Sequence, residues 1–409
     1  MLRFITNADR AGSVVAFMLA VGYALVPVIV ARVTGVDAFD DLIVLALCAA
    51  GFVFLGSRLP FLDWLHSRHL PRLALPTETV VGAFWLAFFV FACVAWITAP
   101  SIPIIAALSG ADAQAIATSR EMFLKARTGW QASFVYINAL FAGALIPYLL
   151  AVMFLTRSRY RWLCFAFFFV YSISFVEKAF FFKAALPLTY LVFQGRLRTA
   201  IRGNVLISGI AGVLLAITAV SAGSDTGPEA LAGEFFSTSF TPSGSVNKIV
   251  WRTVAIPVVT AVDGIRLFNE DFAAEPLKGA TSTPIAALTG VKRVEFERLT
   301  FASQFGQNMT ETGSANSVFF VEALINFGWT GVVIISLVIG LILRLFARTR
   351  DDALRAVWPL FAIGVYTSGL IGMLLSNGFI VVIPMALLCA WPSSEPQPEP
   401  TLSPAAVPA

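Results

Sequence analysis

Several charged residues stand where a membrane chain would be expected to have none. The run SFVEKAFFFKAALPLTY (174–190) sets Glu177, Lys178 and Lys183 inside an apolar stretch, although a charge at the bilayer centre costs at least roughly 2.5–3.5 kcal/mol. Three further segments concentrate groups able to do chemistry. SREMFLKARTGW spaces Arg120 and Arg127 seven apart on one helical face, with Lys125 nearby and Glu121 one turn before it. NKIVWRTVAIPVVTAVDGIRLFNE sets Arg252 and Arg266 fourteen apart, in helical register, with Trp251, Ala255, Val258 and Val262 on the apolar side and Pro257 as a kink. The apolar run of this segment is too short to span, so it is expected to lie in the membrane interface or dip in from it. ASQFGQNMTETGSANSVFFVEALINFGWTG (302–331) gathers Gln304, Gln307, Asn308, Thr310, Asn316 and Ser317 ahead of Glu322.

These residue types suit one kind of ligand. Arginine forks match phosphate oxygens bidentately, so Arg120, Arg127, Arg252 and Arg266, with Lys178, fit a lipid-linked diphosphate at headgroup depth. Gln307, Asn308 and Asn316 suit sugar hydroxyls. A carboxylate, Glu177 or Glu322, is placed to act as a base. The plain alternatives are arginines snorkelling to headgroups and an ordinary helix cap at Ser314 or Asn316. The acidic VDAFDD (Asp37, Asp40, Asp41) reads as a solvated turn running into the next span.

Other chemistries are set aside by what is missing. The two histidines, His66 and His69, share the basic loop DWLHSRHL, which leaves the opposite face without a histidine base, ligand or triad. Cys48, Cys93, Cys164 and Cys389 all lie in apolar runs with no metal-ligand spacing, and read as inert thiols. No phosphate-loop or dinucleotide fingerprint occurs. No metal, no cofactor and no nucleic-acid partner are expected.

The elements that must position these groups follow from composition. The chain has 409 residues, of which 58% are hydrophobic and 13% charged. About 25% charged is usual for a soluble domain. Apolar runs recur from end to end without period-two alternation, which predicts an all-α polytopic integral membrane protein. The candidate spans are 11–31, 42–56, 79–99, 133–155, 203–222, 317–343 and a C-terminal stretch 358–391. The remaining stretch, 162–195, would reach about 51 Å as one helix, against a hydrocarbon core of about 30 Å. Arg157, Arg159 and Arg161 precede it, and Arg196, Arg198 and Arg202 follow. Both clusters should be cytoplasmic, so the stretch should fold as a hairpin of two short helices with its tip near Glu177–Lys178. About ten spans result, with both termini cytoplasmic. SNG (376–378) would be an outer turn. The expected organisation is spans 1–7 within 1–222, including an outer loop 100–132, then a large outer loop with interfacial helices at 223–316, which the resemblance described below would make periplasmic. Spans 8–10 then occupy 317–391, and a Pro-rich, disordered tail 392–409 follows.

At TETGSANSVFFVEALINFGWTGVVIISLVIGLILRLF the chain resembles the O-antigen and oligosaccharide repeat-unit polymerases. The resemblance rests on Gly313, Ser314, Asn316, Glu322, Asn326, Phe327, Gly328 and Gly331, which follow a large late loop and open a long span. Lys178 would match a basic residue at the family's mid-chain hairpin tip, and Arg252 an arginine early in its large loop. At that tip the chain reads Glu-Lys where the family usually reads Gly-x-Arg. The resemblance implies a metal-independent glycosyl transfer at the periplasmic face of a bacterial inner membrane. Repeat units linked to undecaprenyl diphosphate would be joined there, with a chain-length regulator and a flippase as partners. Arg252, Arg266 and Arg120 or Arg127 would neutralise the leaving diphosphate. Related ligases rely on an outer-face histidine, which this chain lacks. Two other readings stand beside this one. One is a glycosyltransferase using a polyprenyl-monophosphate sugar, with Asp40 or Asp41 as base. The other is a lipid or solute transporter, although no matching halves are visible.

Overall fold

The computed structural model describes residues 7–34, 39–66, 76–176, 178–197, 250–306, 315–389 and 391, with 235–238, 240 and 247. Among these the structure is helical throughout, and five helices are long and apolar enough to cross a membrane. They are α1 (Ala8–Arg32), α2 (Asp40–Asp63), α3 (Thr77–Ile97), α5 (Gly129–Leu155) and α11 (Phe319–Arg348). Between α3 and α5 lies α4 (Ala113–Arg120). The hairpin is α6 (Arg161–Ser174) and α7 (Lys178–Phe193). Then come α8 (Ile256–Leu267), α9 (Thr283–Thr289) and α10 (Phe296–Phe305). After α11 the chain closes with α12 (Asp352–Thr367) and α13 (Phe379–Leu388). The expected span 203–222 and the tail 392–409 lie outside the described residues.

The stretch 162–195 is broken into two helices, α6 ending at Ser174 and α7 beginning at Lys178. The C-terminal stretch differs from its expected outline. It starts at Asp352 rather than 358 and breaks twice, at Ser368–Gly369 and at Asn377–Gly378. Ser368 is fully extended and ends α12. Gly378 has φ 80° and lies against the Leu140 carbonyl of α5, so SNG is a turn because only glycine fits there. Pro257 falls in the first turn of α8, where its missing N–H is tolerated, and a π-turn at Trp251–Ala255 absorbs the disturbance.

Without a hydrophobic drive between helices in lipid, close approach of backbones decides which spans pair. Here α2 packs on α11 through Gly56 and Gly340, each facing backbone of the other helix. Around α3, Phe88 sits in a ring of Phe141, Phe167, Phe168 and Tyr171, with centroids 5.1–5.8 Å away. Such edge-to-face pairs add about 0.5–1.5 kcal/mol each beyond burial.

One end of the bundle is tied by a polar chain. Trp391 Nε1 donates to Tyr148 Oη at 2.5 Å, and Tyr148 donates to Asp351 Oδ2 at 2.6 Å. The other oxygen of Asp351 caps α12 by accepting from the backbone N–H groups of Ala353 and Leu354. Burial raises the Asp351 carboxyl from 3.8 to about 6, against the pull of these donors. A carboxyl raised on folding stabilises fully below its unfolded pKa and loses that contribution as pH rises through the folded one. Thermal unfolding in detergent should therefore show an Asp351-dependent loss between pH 4 and 6, at most about 3 kcal/mol. Asp351→Asn, which keeps the cap, should remove that slope. An unchanged slope in the variant would assign it to other groups.

Candidate functional site

At the opposite end, the first turns of α11 carry Glu322. Its Oε1 accepts from Thr281 Oγ1 at 3.1 Å. Thr281 in turn accepts from Asn326 Nδ2 at 2.8 Å, and the same amide nitrogen reaches the Glu322 carbonyl at 2.8 Å. Backbone bonds fasten the segment before α9 across this helix, with Leu277 N–H donating to the Ile325 carbonyl (3.0 Å) and Lys278 N–H to that of Asn326 (2.7 Å). That segment turns through two successive left-handed residues, Lys278 (φ 53°) and Gly279 (φ 90°). A strained non-glycine residue persists only where its surroundings over-determine it. Across from Glu322 lies Gly369, at the break after α12, where a Cβ would run into the carboxylate.

Glu322 lines a cavity of about 830 Å³. Its lining is of two kinds. Val135, Tyr136 and Leu140 of α5, with Ile371 and Leu375, make an apolar side. Lys125, Arg293, Glu295, Glu297 and Arg298 make a charged one, with the hydroxyls of Thr281 and Ser282. Arg298 and Arg293 both reach Glu295, at 2.8 and 3.6 Å, and both stay partly exposed. Two cations thus share one carboxylate. Lys125 brings a third, from the π-turn that follows α4.

α11 breaks at Gly328 (φ 62°, ψ −159°). The residues 329–348 beyond the break reach about 30 Å, which matches the hydrocarbon core on their own. Phe327 and Trp329 are exposed beside the break, as are Trp130 and Tyr136 at the same end of α5. Exposed aromatics of this kind mark a membrane–water interface. Glu322 lies about two turns before the break, outside that core-length stretch.

The other residues singled out in the sequence occupy different places. Arg127 is buried and structural: it donates to the carbonyls of Phe123 (2.6 Å) and Ala95 (2.7 Å) and to Thr98 Oγ1 (2.6 Å). It also stacks over Phe134 at 5.0 Å, which clamps the end of α3 to the start of α5. Arg120 donates to the Val176 carbonyl at 2.9 Å, so it holds the α6–α7 turn. Arg266 pairs with Asp263 (3.4 Å) and donates to Ser303 Oγ (2.8 Å), while burial pushes the Asp263 carboxyl up. Arg252 and Asn316 are exposed. None of Arg120, Arg127, Arg252, Arg266 or Asn316 is among the residues that line the cavity. Glu177, Gln307 and Asn308, and the side chain of Lys178, lie outside what is described. Sequence reasoning passed over Thr281, Arg293, Arg298 and Gly369; the alternating charges of VKRVEFER were the one visible signal. No group of three or more His, Cys, Asp or Glu among the described residues is arranged to hold a metal.

No protein-family model matches the sequence, no curated protein is similar to it, and no solved structure matches its fold. The site's own geometry therefore carries the functional argument.

Proposed function

We propose that the protein joins oligosaccharide repeat units carried on undecaprenyl diphosphate, at the periplasmic face of a bacterial inner membrane. The observation that carries this reading is the cavity's mixed lining: apolar residues of a membrane-spanning helix, three cations, and three carboxylates of which Glu295 is paired to two of those cations and Glu322 is held by Thr281. A polyprenyl chain suits the apolar residues and a diphosphate the cations. In the reaction, a hydroxyl of one lipid-linked unit attacks the anomeric carbon of another. The bond from that carbon to the diphosphate breaks, and its electron pair leaves with the diphosphate. The hydroxyl proton passes to Glu322, which Thr281 holds in place. Arg293, Arg298 and Lys125 neutralise the departing charge as it develops, the interaction that usually dominates such steps. No histidine or metal enters this scheme.

Deleting the protein should abolish surface polymer while single repeat units still reach their surface acceptor, as read by gel and lipid analysis. Lipid-linked polymer that accumulates without reaching its acceptor would mean a ligase instead. Unchanged glycan would point to transport. Residue by residue, the geometry ranks the arginines. Arg298→Gln should cut polymer at least tenfold, and more than Arg252→Ala does, because Arg298 lines the cavity and Arg252 does not. The reverse order would move the diphosphate site to the helix that carries Arg252.

A further inference from the structure

We propose that a second cavity, at the other end of the bundle, binds the head of a phospholipid bearing both a phosphate and a primary amine. This cavity of about 430 Å³ lies where α3, α5 and α6 meet. That volume is within the range of small-molecule sites, roughly 300–1,000 Å³. On α5 it lies about 25 Å from the Glu322 cavity, counting from Tyr136 to Met153 at 1.5 Å per residue.

Its charges are matched but unspent. Glu78 and Arg159 both line it and both are exposed, and among the described residues their side chains form no ion pair with each other and no hydrogen bond. Arg159 only stacks on the Tyr160 ring, 4.5 Å from its centroid. Opposite charges that share a pocket without pairing leave one to each end of a zwitterion. The phosphate takes the guanidinium, for which its oxygens are the natural match, and the ammonium takes Glu78. Farther in, Val81, Trp85 and Met153 make an apolar floor. Trp85 is 7% exposed, and its indole Nε1 has no acceptor. A buried donor left in this way calls for a partner, and a lipid ester oxygen above the floor supplies one after a small turn of the ring. Leu163, 68% exposed at the rim, leads the acyl chains out into the bilayer. Gly82 also lines it, and a Cβ there would meet nothing within 4 Å.

The test uses the full chain, purified in detergent and stripped of lipid. Dioleoylphosphatidylethanolamine or dioleoylphosphatidylglycerol is then added back, and retained lipid is counted by native mass spectrometry. The wild type should hold one ethanolamine lipid at least tenfold more tightly than the glycerol one. Gly82→Leu puts a side chain into the pocket from a position where a Cβ meets no protein atom within 4 Å, and should abolish that retention. Arg159→Gln should weaken it about tenfold, and Glu78→Gln should erase the preference between the two heads. Equal retention of both lipids by the wild type, or undiminished retention by Gly82→Leu, overturns the proposal. The readout is independent of glycan synthesis, so it stands or falls apart from the Glu322 site.

Discussion

Glu322→Gln is expected to abolish polymer in cells that keep normal levels of the protein. Glutamine has nearly the shape of glutamate, and its amide oxygen can still accept from Thr281, which donates to Glu322 in the native site. It also fits opposite Gly369, where only a hydrogen faces the carboxylate. The fold should therefore survive, and what is lost is the ability to take a proton. Positioned general bases contribute about 10²–10⁴ in rate, enough to bring polymer below detection on a gel while single units persist. Thr281→Val should give an intermediate loss of about tenfold. It removes the hydroxyl that orients Glu322 and accepts from Asn326 but leaves the carboxylate in the cavity. Polymer retained by Glu322→Gln would remove this residue from the mechanism and leave Glu177 as the carboxylate to test.

The parts of this site that could be read in the sequence are those where cause and effect are close along the chain. Glu322, Asn326 and Gly328 stand together in one run, and a carboxylate just inside a span is conspicuous because it is costly there. The break between α6 and α7 was legible from length, since one helix over 162–195 would be longer than the hydrocarbon core is thick. Thr281 and Gly369 were not legible. Each is more than forty residues from Glu322 and meets it only because Asn326 fastens the turn at Lys278 and because α12 stops at Ser368. Arg127 shows the opposite failure. Its type and spacing suit a ligand, but three backbone and hydroxyl acceptors consume it inside the fold. Spacing reports which residues share a helical face; it does not report which neighbouring helix that face will meet.

Gly340→Val should prevent accumulation of folded protein, the largest structural effect expected from a single change. A Cβ at this position would lie 2.7 Å from the Ser57 amide nitrogen and 2.8 Å from the Gly56 carbonyl carbon, and closer still to the Val53 carbonyl oxygen. These are backbone atoms of α2, so no side-chain rotation relieves the contact and the two helices must separate. Overpacking a well-filled interior costs about 1–3 kcal/mol. Prying apart two spans should exceed that range, because lipid offers no hydrophobic force to press them back together. The consequence would reach the site: α11 carries Glu322 at one end and Arg344 at the other, where a bidentate pair with Asp63 (2.5 and 2.7 Å) anchors it to α2. Gly51→Ala on the same helix α2 is the control, since a Cβ there meets nothing within 4 Å. It should change stability by no more than about 1 kcal/mol, in the stabilising direction. Fluorescence-detected size exclusion of tagged protein would separate the two. A sharp monodisperse peak for Gly340→Val would mean that α2 and α11 do not rest on this glycine.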